Sequence, residues 1–145
     1  MPDLDRPRIL FVDDEPNFLA AMERELRPGY EVTVASDAKQ ALRLVVSQGP
    51  FHVVVVDLQM PGMDGVTLLY CLKAAAPDTV RVLLTGHADV DAAVAAVNEG
   101  NVFRFLTKPC PQRLLLRTLE ACVEECRRVV TERSLNPSQV HPLPR

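Results

Sequence analysis

The sequence contains no apolar run long enough to cross a membrane. A membrane-spanning helix needs roughly 20 predominantly apolar residues, and no stretch of this 145-residue chain reaches that length. The opening segment, MPDLDRPR, also lacks the apolar centre of a secretory signal peptide. These absences predict a cytoplasmic protein that does not enter the membrane.

Basic charge is also scarce, since 16 Lys and Arg residues face 19 Asp and Glu residues, for a net charge of −3. Domains that bind nucleic acid usually carry a strongly basic surface, so no direct contact with nucleic acid is expected. The four cysteines form no CxxC pair and have no histidines at metal-ligand spacing. Cys122 and Cys126 are one helical turn apart, and we interpret them as small side chains on a buried helix face.

The most informative stretch is the segment FHVVVVDLQMPGMDG, residues Phe51–Gly65. Its consecutive valines, without polar alternation, predict a strand covered on both faces, as in the centre of a parallel sheet. Asp57 ends this strand, at the edge of the sheet where ligands bind in open α/β folds. Asp57 is therefore predicted to be a reactive carboxylate on a rigid platform.

Strand and helix patterns alternate along the chain. The predicted strands are Ile9–Val12, Tyr30–Ala35, Phe51–Asp57, Val80–Thr85 and Val102–Thr107. The predicted helices are Pro16–Arg27, Ala38–Ser47, Val66–Ala75, a fourth that begins at the Asp89 N-cap and ends at Gly100, and roughly Pro111–Val130. Five βα units in series predict an α/β fold, a three-layer α/β/α sandwich around a five-stranded parallel sheet.

The segment from Thr131 to Arg145 shows no periodicity and contains three prolines. We interpret residues 131–145 as a flexible C-terminal tail or the start of a linker. The second interpretation follows because the last helix could continue through Arg133 before Asn136-Pro137 breaks it.

Polar side chains end four of the predicted strands. Asp13 and Asp14 follow the first strand, and Asp57, Thr85 and Lys108 lie at the ends of the third, fourth and fifth. Converging carboxylates repel one another unless a cation lies among them, and oxygen ligands at a wet edge suit Mg²⁺. A lysine and a hydroxyl can both contact phosphoryl oxygens. The set predicts phosphoryl transfer onto Asp57.

Each of these residues also has a simpler interpretation. Asp14 could cap the first helix, Asp57 could hydrogen-bond the loop that follows it, and Thr85 could be an ordinary strand residue. Lys108 could be a solvated surface charge. Their joint occurrence at one edge of the predicted sheet favours a functional site.

In this order, the Asp-Asp pair, the DLQMPGMDG segment, the Thr-Gly pair and the Lys-Pro pair resemble the receiver domain of two-component response regulators, over residues 8–130. The resemblance implies a flavodoxin-like sheet of order 2-1-3-4-5. It implies that Asp57 accepts a phosphoryl group from a sensor histidine kinase or a phosphotransfer protein. It also implies a Mg²⁺ (or Mn²⁺) site formed by Asp14, Asp57, the backbone carbonyl of Gln59 and, through water, Asp13.

The same resemblance assigns further roles. Thr85 and Phe105 match the two switch positions of the family, and Phe105 could equally be a core residue that shares a strand face with Phe103. Gly86 leaves space for a phosphoryl group, while Gln59 and His87 match positions that tune the loss of phosphate. His87 could orient the attacking water, or it could equally be a surface turn histidine with no role. The Lys108-Pro109 bond matches one that is usually cis.

Residues Asn98–Pro109 (NEGNVFRFLTKP) further resemble receivers attached to HD-GYP phosphodiesterases or AAA+ transcriptional activators. The chain is then either a receiver cut from a longer protein or a stand-alone regulator. The surface formed by the fourth helix, fifth strand and last helix is the usual partner surface of the family. It implies contact with an output domain, a partner protein or a second copy in a homodimer.

Two classes of function remain open from the residues. The first is a switch operated by phosphorylation, and the alternative is a protein-interaction module that works without phosphate. A turnover enzyme is not expected, because no substrate pocket beyond the acidic edge is evident.

Overall fold

The computed structural model describes residues 6–58, 60, 65–86, 90–99 and 101–135. The strands in these residues are β1 (Arg8–Val12), β2 (Glu31–Ala35), β3 (Val53–Asp57), β4 (Val80–Thr85) and β5 (Arg104–Thr107). The helices are α1 (Pro16–Leu26), α2 (Ala38–Gln48), α3 (Gly65–Ala75), α4 (Val90–Asn98) and α5 (Gln112–Leu135). In this part of the chain, no helix is both long and apolar enough to span a membrane.

The strands form one sheet of order β2-β1-β3-β4-β5 with parallel pairing throughout. This confirms the predicted order and the α/β/α class. From β1 the chain moves outward to β2, and from β3 it moves outward in the other direction to β4. The crevice between β1 and β3 is therefore the switch point of the sheet, where α/β proteins bind their ligands. Asp13 follows β1 and Asp57 ends β3, so both residues lie at this point.

Helices cover both faces of the sheet, and this explains the unbroken valines of β3, all of which are buried. Buried side chains of α2, α3 and α4 pack on one face, against Leu10 and Val54 among others. Those of α1 and α5 pack on the other face, against Phe11 and Val55. A strand with helices on both sides has no solvent-facing positions, and its sequence therefore shows no polar alternation.

Cys122 and Cys126 lie on the buried face of α5, with exposed fractions of 0% and 6%. Burial raises the pKa of the Cys122 thiol to about 12, so this thiol is protonated at neutral pH. The Cys126 thiol donates to the backbone carbonyl of Asp78 at 3.3 Å. Their interpretation as buried helix residues is confirmed.

The last helix extends beyond Val130, as the second interpretation of this segment allowed, and it passes Arg133 to end at Leu135. Two observations explain the extension. Arg128 pairs with Glu125 at 2.9 Å and with Glu132 at 2.7 Å, at the spacings that stabilise a helix. Arg133 reaches the connection between α3 and β4, where its guanidinium lies 2.9 Å from the Asp78 carboxylate. Residues 136–145, and the predicted helix limits Asp89 and Gly100, lie outside the described residues.

Phe103 and Phe105 do not share a strand face, so this prediction was wrong. Phe105 packs with the α2, α3 and α4 side of the core, whereas Phe103 packs with the α1 and α5 side. The strand β5 begins only at Arg104, so Phe103 is outside the regular alternation. The Arg104 guanidinium lies 4.7 Å from the centre of the Phe103 ring.

Candidate functional site

Three carboxylates meet at the switch point of the sheet. One oxygen from each of Asp13, Asp14 and Asp57 lies within 4.8 Å of the other two. Asp13 and Asp57 are 1% and 8% exposed, whereas Asp14 is exposed to solvent. The cluster therefore has a buried side formed by the ends of two adjacent strands and an open side at Asp14.

Lys108 is the cation that contacts this cluster among the described residues. Its ammonium nitrogen lies 2.7 Å from Asp13 Oδ2 and 3.7 Å from Asp57 Oδ2. Burial, the largest single influence, lowers the pKa of Lys108. The hydrogen bond to Asp13 and the charges of Asp13, Asp57 and Glu15 outweigh it and raise the pKa above its ordinary value. The interpretation of Lys108 as a solvated surface charge is therefore wrong.

A backbone hydrogen bond fixes the start of the Lys108 side chain. The Lys108 N–H donates to the carbonyl of Thr85 at 2.8 Å, which ties the end of β5 to the end of β4. The lysine stem therefore starts from a defined point beside the carboxylates. The Lys108-Pro109 peptide bond is cis, as the resemblance implied.

Asp14 does not cap α1, so its simpler interpretation is also wrong. The N-cap residue is Glu15, which makes no side-chain capping bond, and Pro16 follows it in the first turn. Asp13 Oδ1 instead accepts the N–H of Glu15 at 3.0 Å. This bond orients Asp13, whereas the Asp14 carboxylate is the exposed member of the cluster.

Thr85 is fully buried at the end of β4. Its hydroxyl lies 3.5 Å from the carbonyl oxygen of Gly86, at the outer limit of a hydrogen bond. A Cβ added to Gly86 would meet no atom within 4 Å, which agrees with the open space expected there. Phe105 is half-buried on β5, opposite Leu83 of β4.

Two predicted site residues, Gln59 and His87, lie outside the described residues, as do Pro61 and Gly62 of the loop after β3. Phe18 of α1 makes a further contact at this site. Its ring centre lies 4.7 Å from the Lys108 ammonium nitrogen. No sequence signal indicates this contact, because the two residues are 90 positions apart.

The donor set fits a magnesium ion. Mg²⁺ prefers oxygen ligands and usually keeps several waters, so it binds where a few carboxylates border solvent. The cluster supplies carboxylate oxygens and has one exposed member. The described residues do not include the Gln59 carbonyl, the fourth predicted ligand.

Gly65 begins α3 and packs directly against the end of β3. Its N–H donates to the Leu58 carbonyl at 3.2 Å. A Cβ at this position would lie 2.8 Å from Leu58 Cα and 2.9 Å from the carbonyl oxygen of Asp57. These neighbours are backbone atoms, so the start of α3 or the end of β3 must shift to make room.

We therefore expect Gly65→Ala to lower the free energy of unfolding by about 1–3 kcal/mol, the usual cost of overpacking. Urea unfolding measures this change. Gly29→Ala is the matched control, because a Cβ at Gly29 meets nothing within 4 Å, and its unfolding midpoint should not fall. Equal midpoints for Gly65→Ala and wild type would show that the close approach is not a constraint.

This arrangement of fold and acidic site places the chain in one family. It belongs to the response regulator receiver domain family, whose model matches residues 9–120. The chain is similar to the C4-dicarboxylate transport transcriptional regulatory protein DctD of Pseudomonas aeruginosa, with 36% identity over 129 residues, 88% of this chain and 28% of that protein. It spans about a quarter of the length of the first curated relatives it matches.

The chain is also similar to several solved structures. An adenylate cyclase structure from Rhodopirellula baltica has a TM-score of 0.87 and 36% identity, over 90% of this chain and 96% of that chain. The receiver domain of an HD domain-containing protein from Pseudomonas fluorescens Pf-5 has a TM-score of 0.78 and 37% identity, over 85% and 98%. The response regulator TrrA from Thermotoga maritima, in complex with Mg²⁺ and BeF, has a TM-score of 0.71 and 26% identity, over 80% and 98%.

The predicted resemblance and fold are thus confirmed. The chain is a response regulator receiver domain, a component of two-component signal transduction. A module that works without phosphate is not favoured, since phosphorylation-dependent signalling is the standard role of this family.

Proposed function

We propose that Asp57 is the phosphoacceptor of this receiver domain and that Asp13, Asp14, Thr85 and Lys108 assist the transfer. The observation that carries the proposal is the contact set of Asp57. Its carboxylate is grouped with those of Asp13 and Asp14 within 4.8 Å, and the Lys108 ammonium lies 3.7 Å from it. The site thereby combines a nucleophilic oxygen on Asp57, carboxylates that can bind a cation, and the positive charge of Lys108.

In the proposed reaction, a carboxylate oxygen of Asp57 forms a bond to the phosphorus of a phosphohistidine donor. The bond between phosphorus and the imidazole nitrogen breaks, and the imidazole keeps the electron pair. Lys108 balances charge on the phosphoryl oxygens. The Thr85 hydroxyl, whose present acceptor is 3.5 Å away, turns to donate to one of them.

Asp14, Asp57, the Gln59 backbone carbonyl and, through water, Asp13 would hold Mg²⁺, and Mn²⁺ has the same oxygen preference. The ion when bound supplies positive charge that offsets the carboxylates and the incoming phosphoryl group. Asp13 is already bound to Lys108 at 2.7 Å. A role for Asp13 through water fits this arrangement, because one of its oxygens is engaged by the lysine.

Phosphorylation would then be transmitted through Thr85 and Phe105. When the Thr85 hydroxyl moves toward the phosphoryl group, the half-buried ring of Phe105 on the neighbouring strand turns inward. This changes the surface formed by α4, β5 and α5. Gly86 gives the phosphoryl group room, and Gln59 and His87 set how fast it is lost.

The proposed partners are a sensor histidine kinase or phosphotransfer protein as donor, and an output domain or partner protein as receiver of the signal. A homodimer through the α4-β5-α5 surface is one form of that readout. In this proposal residues 8–130 are the receiver domain, and residues 131–145 begin a linker or tail whose first part continues α5 to Leu135. The domain acts as a regulatory phosphoacceptor and not as a turnover enzyme, and a cytoplasmic location fits this role.

The proposal is tested by incubating the protein with acetyl phosphate and Mg²⁺ and measuring its intact mass. We expect a mass gain of one phosphoryl group that requires the metal, because the carboxylate cluster repels an anionic donor unless its charge is offset. The same incubation with excess chelator should give no gain. A chain that stays unmodified in Mg²⁺, or gains the same mass with and without metal, would contradict the proposal.

A further inference from the structure

Phe18 gives Lys108 a third neighbour besides the two carboxylates. The ammonium nitrogen lies 4.7 Å from the centre of the Phe18 ring, within the range of a cation–π contact. Phe18 belongs to the first turn of α1, and it lies four residues after Asp14. Its ring meets the ring of Phe11 of β1 edge-on, with centres 6.3 Å apart and planes at 66°. The ring is therefore held by the sheet that also carries Asp13.

The ring also forms part of an apolar wall beside the lysine. A groove of about 430 Å³ is lined by Lys108 together with the apolar side chains of Phe18, Met22, Leu84 and Leu115. The lysine stem has four carbons and many rotamers, so its ammonium can swing between carboxylate and solvent. The face of the Phe18 ring carries a negative potential. It attracts the Lys108 ammonium and so limits this movement.

Asp13 alone does not place the ammonium at Asp57. The nitrogen lies 1 Å closer to Asp13 than to Asp57, at 2.7 Å against 3.7 Å. With carboxylates on one side and the aromatic ring on another, the lysine is confined to the space beside the proposed acceptor. Its side chain is only 27% exposed.

We propose that Phe18 is a positioning residue, whose aromatic ring holds the Lys108 ammonium where it contacts the phosphoryl group on Asp57. This inference rests on the proposed function. It assigns Phe18 a role through Lys108 and not through contact with the phosphoryl group itself. The proposed role depends on the aromatic character of Phe18 and not on its size, because an aliphatic side chain would fill the same space without attracting a cation.

The test measures the affinity of the full chain for beryllofluoride, a phosphoryl mimic, in saturating Mg²⁺ by NMR titration. We expect Phe18→Leu to weaken binding about three- to tenfold, and Phe18→Tyr, which keeps the aromatic face, to stay within about twofold of wild type. Phe18→Met is a second ring-free variant. Met22→Leu, on the same helix and groove, is the matched control and should bind as wild type does.

A double variant separates positioning from packing. If Phe18 acts through the ammonium, Phe18→Leu should cause no further loss of affinity when Lys108 is already replaced by Met. Equal losses in both backgrounds, or equal affinities of Phe18→Leu, Phe18→Met and wild type, would overturn the inference while leaving the proposed function intact. A wild-type chain that fails to bind beryllofluoride in Mg²⁺ would overturn both.

Discussion

Asp57→Asn is expected to gain no phosphoryl group from acetyl phosphate in Mg²⁺, under conditions in which the wild-type chain is modified. The amide lacks the anionic oxygen that attacks phosphorus, and it removes one of the three charges that would attract the metal. The replacement has nearly the same shape as the native side chain, which is only 11% exposed. It also relieves repulsion from Asp13 and Asp14, so the folded state should persist.

Intact-mass measurement reads this result directly, and circular dichroism verifies the fold. Asp37→Asn is the matched control, because Asp37 caps α2 by accepting the Gln40 N–H at 2.8 Å and asparagine caps equally well. This control should be phosphorylated like wild type. Unchanged phosphorylation of Asp57→Asn would rule out Asp57 as the acceptor.

Lys108→Met is expected to slow phosphorylation by about tenfold or more, since one charge-assisted contact to the phosphoryl group is lost. It should also destabilise the metal-free protein. Asp13 Oδ2 loses a hydrogen-bond donor at 2.7 Å, and its carboxylate stays buried beside Asp57. We expect a loss of about 1–3 kcal/mol, below the cost of breaking a fully buried pair because the lysine is partly exposed.

The stability loss should shrink when Mg²⁺ is added, since the ion offsets the same carboxylates. Urea unfolding of wild type and variant, each with and without Mg²⁺, measures this. Lys39→Met removes an exposed lysine of α2 and should change neither stability nor phosphorylation rate. If Lys108→Met is as stable and as quickly phosphorylated as wild type, the lysine has no part in the site.

The elements of the fold were predictable because each has a local signature. Consecutive valines indicated a doubly covered strand in β3, and the alternation of strand and helix patterns indicated the five βα units. The end of α5 was harder to predict from the sequence. Five further residues are helical, and Arg133 in this extension pairs with Asp78, a residue 55 positions earlier. Phe103 likewise lies on the side opposite Phe105 because β5 begins one residue after it.

Residue types and short spacings along the chain were enough to predict the class of the fold, the strand ends that carry polar residues and, through motifs, the family. The packed structure was needed to show that Lys108 binds Asp13 more closely than Asp57, that Asp14 does not cap α1, and that Phe18 flanks the lysine. Such contacts join residues from distant strand and helix ends, and their distances depend on how the helices pack on the sheet.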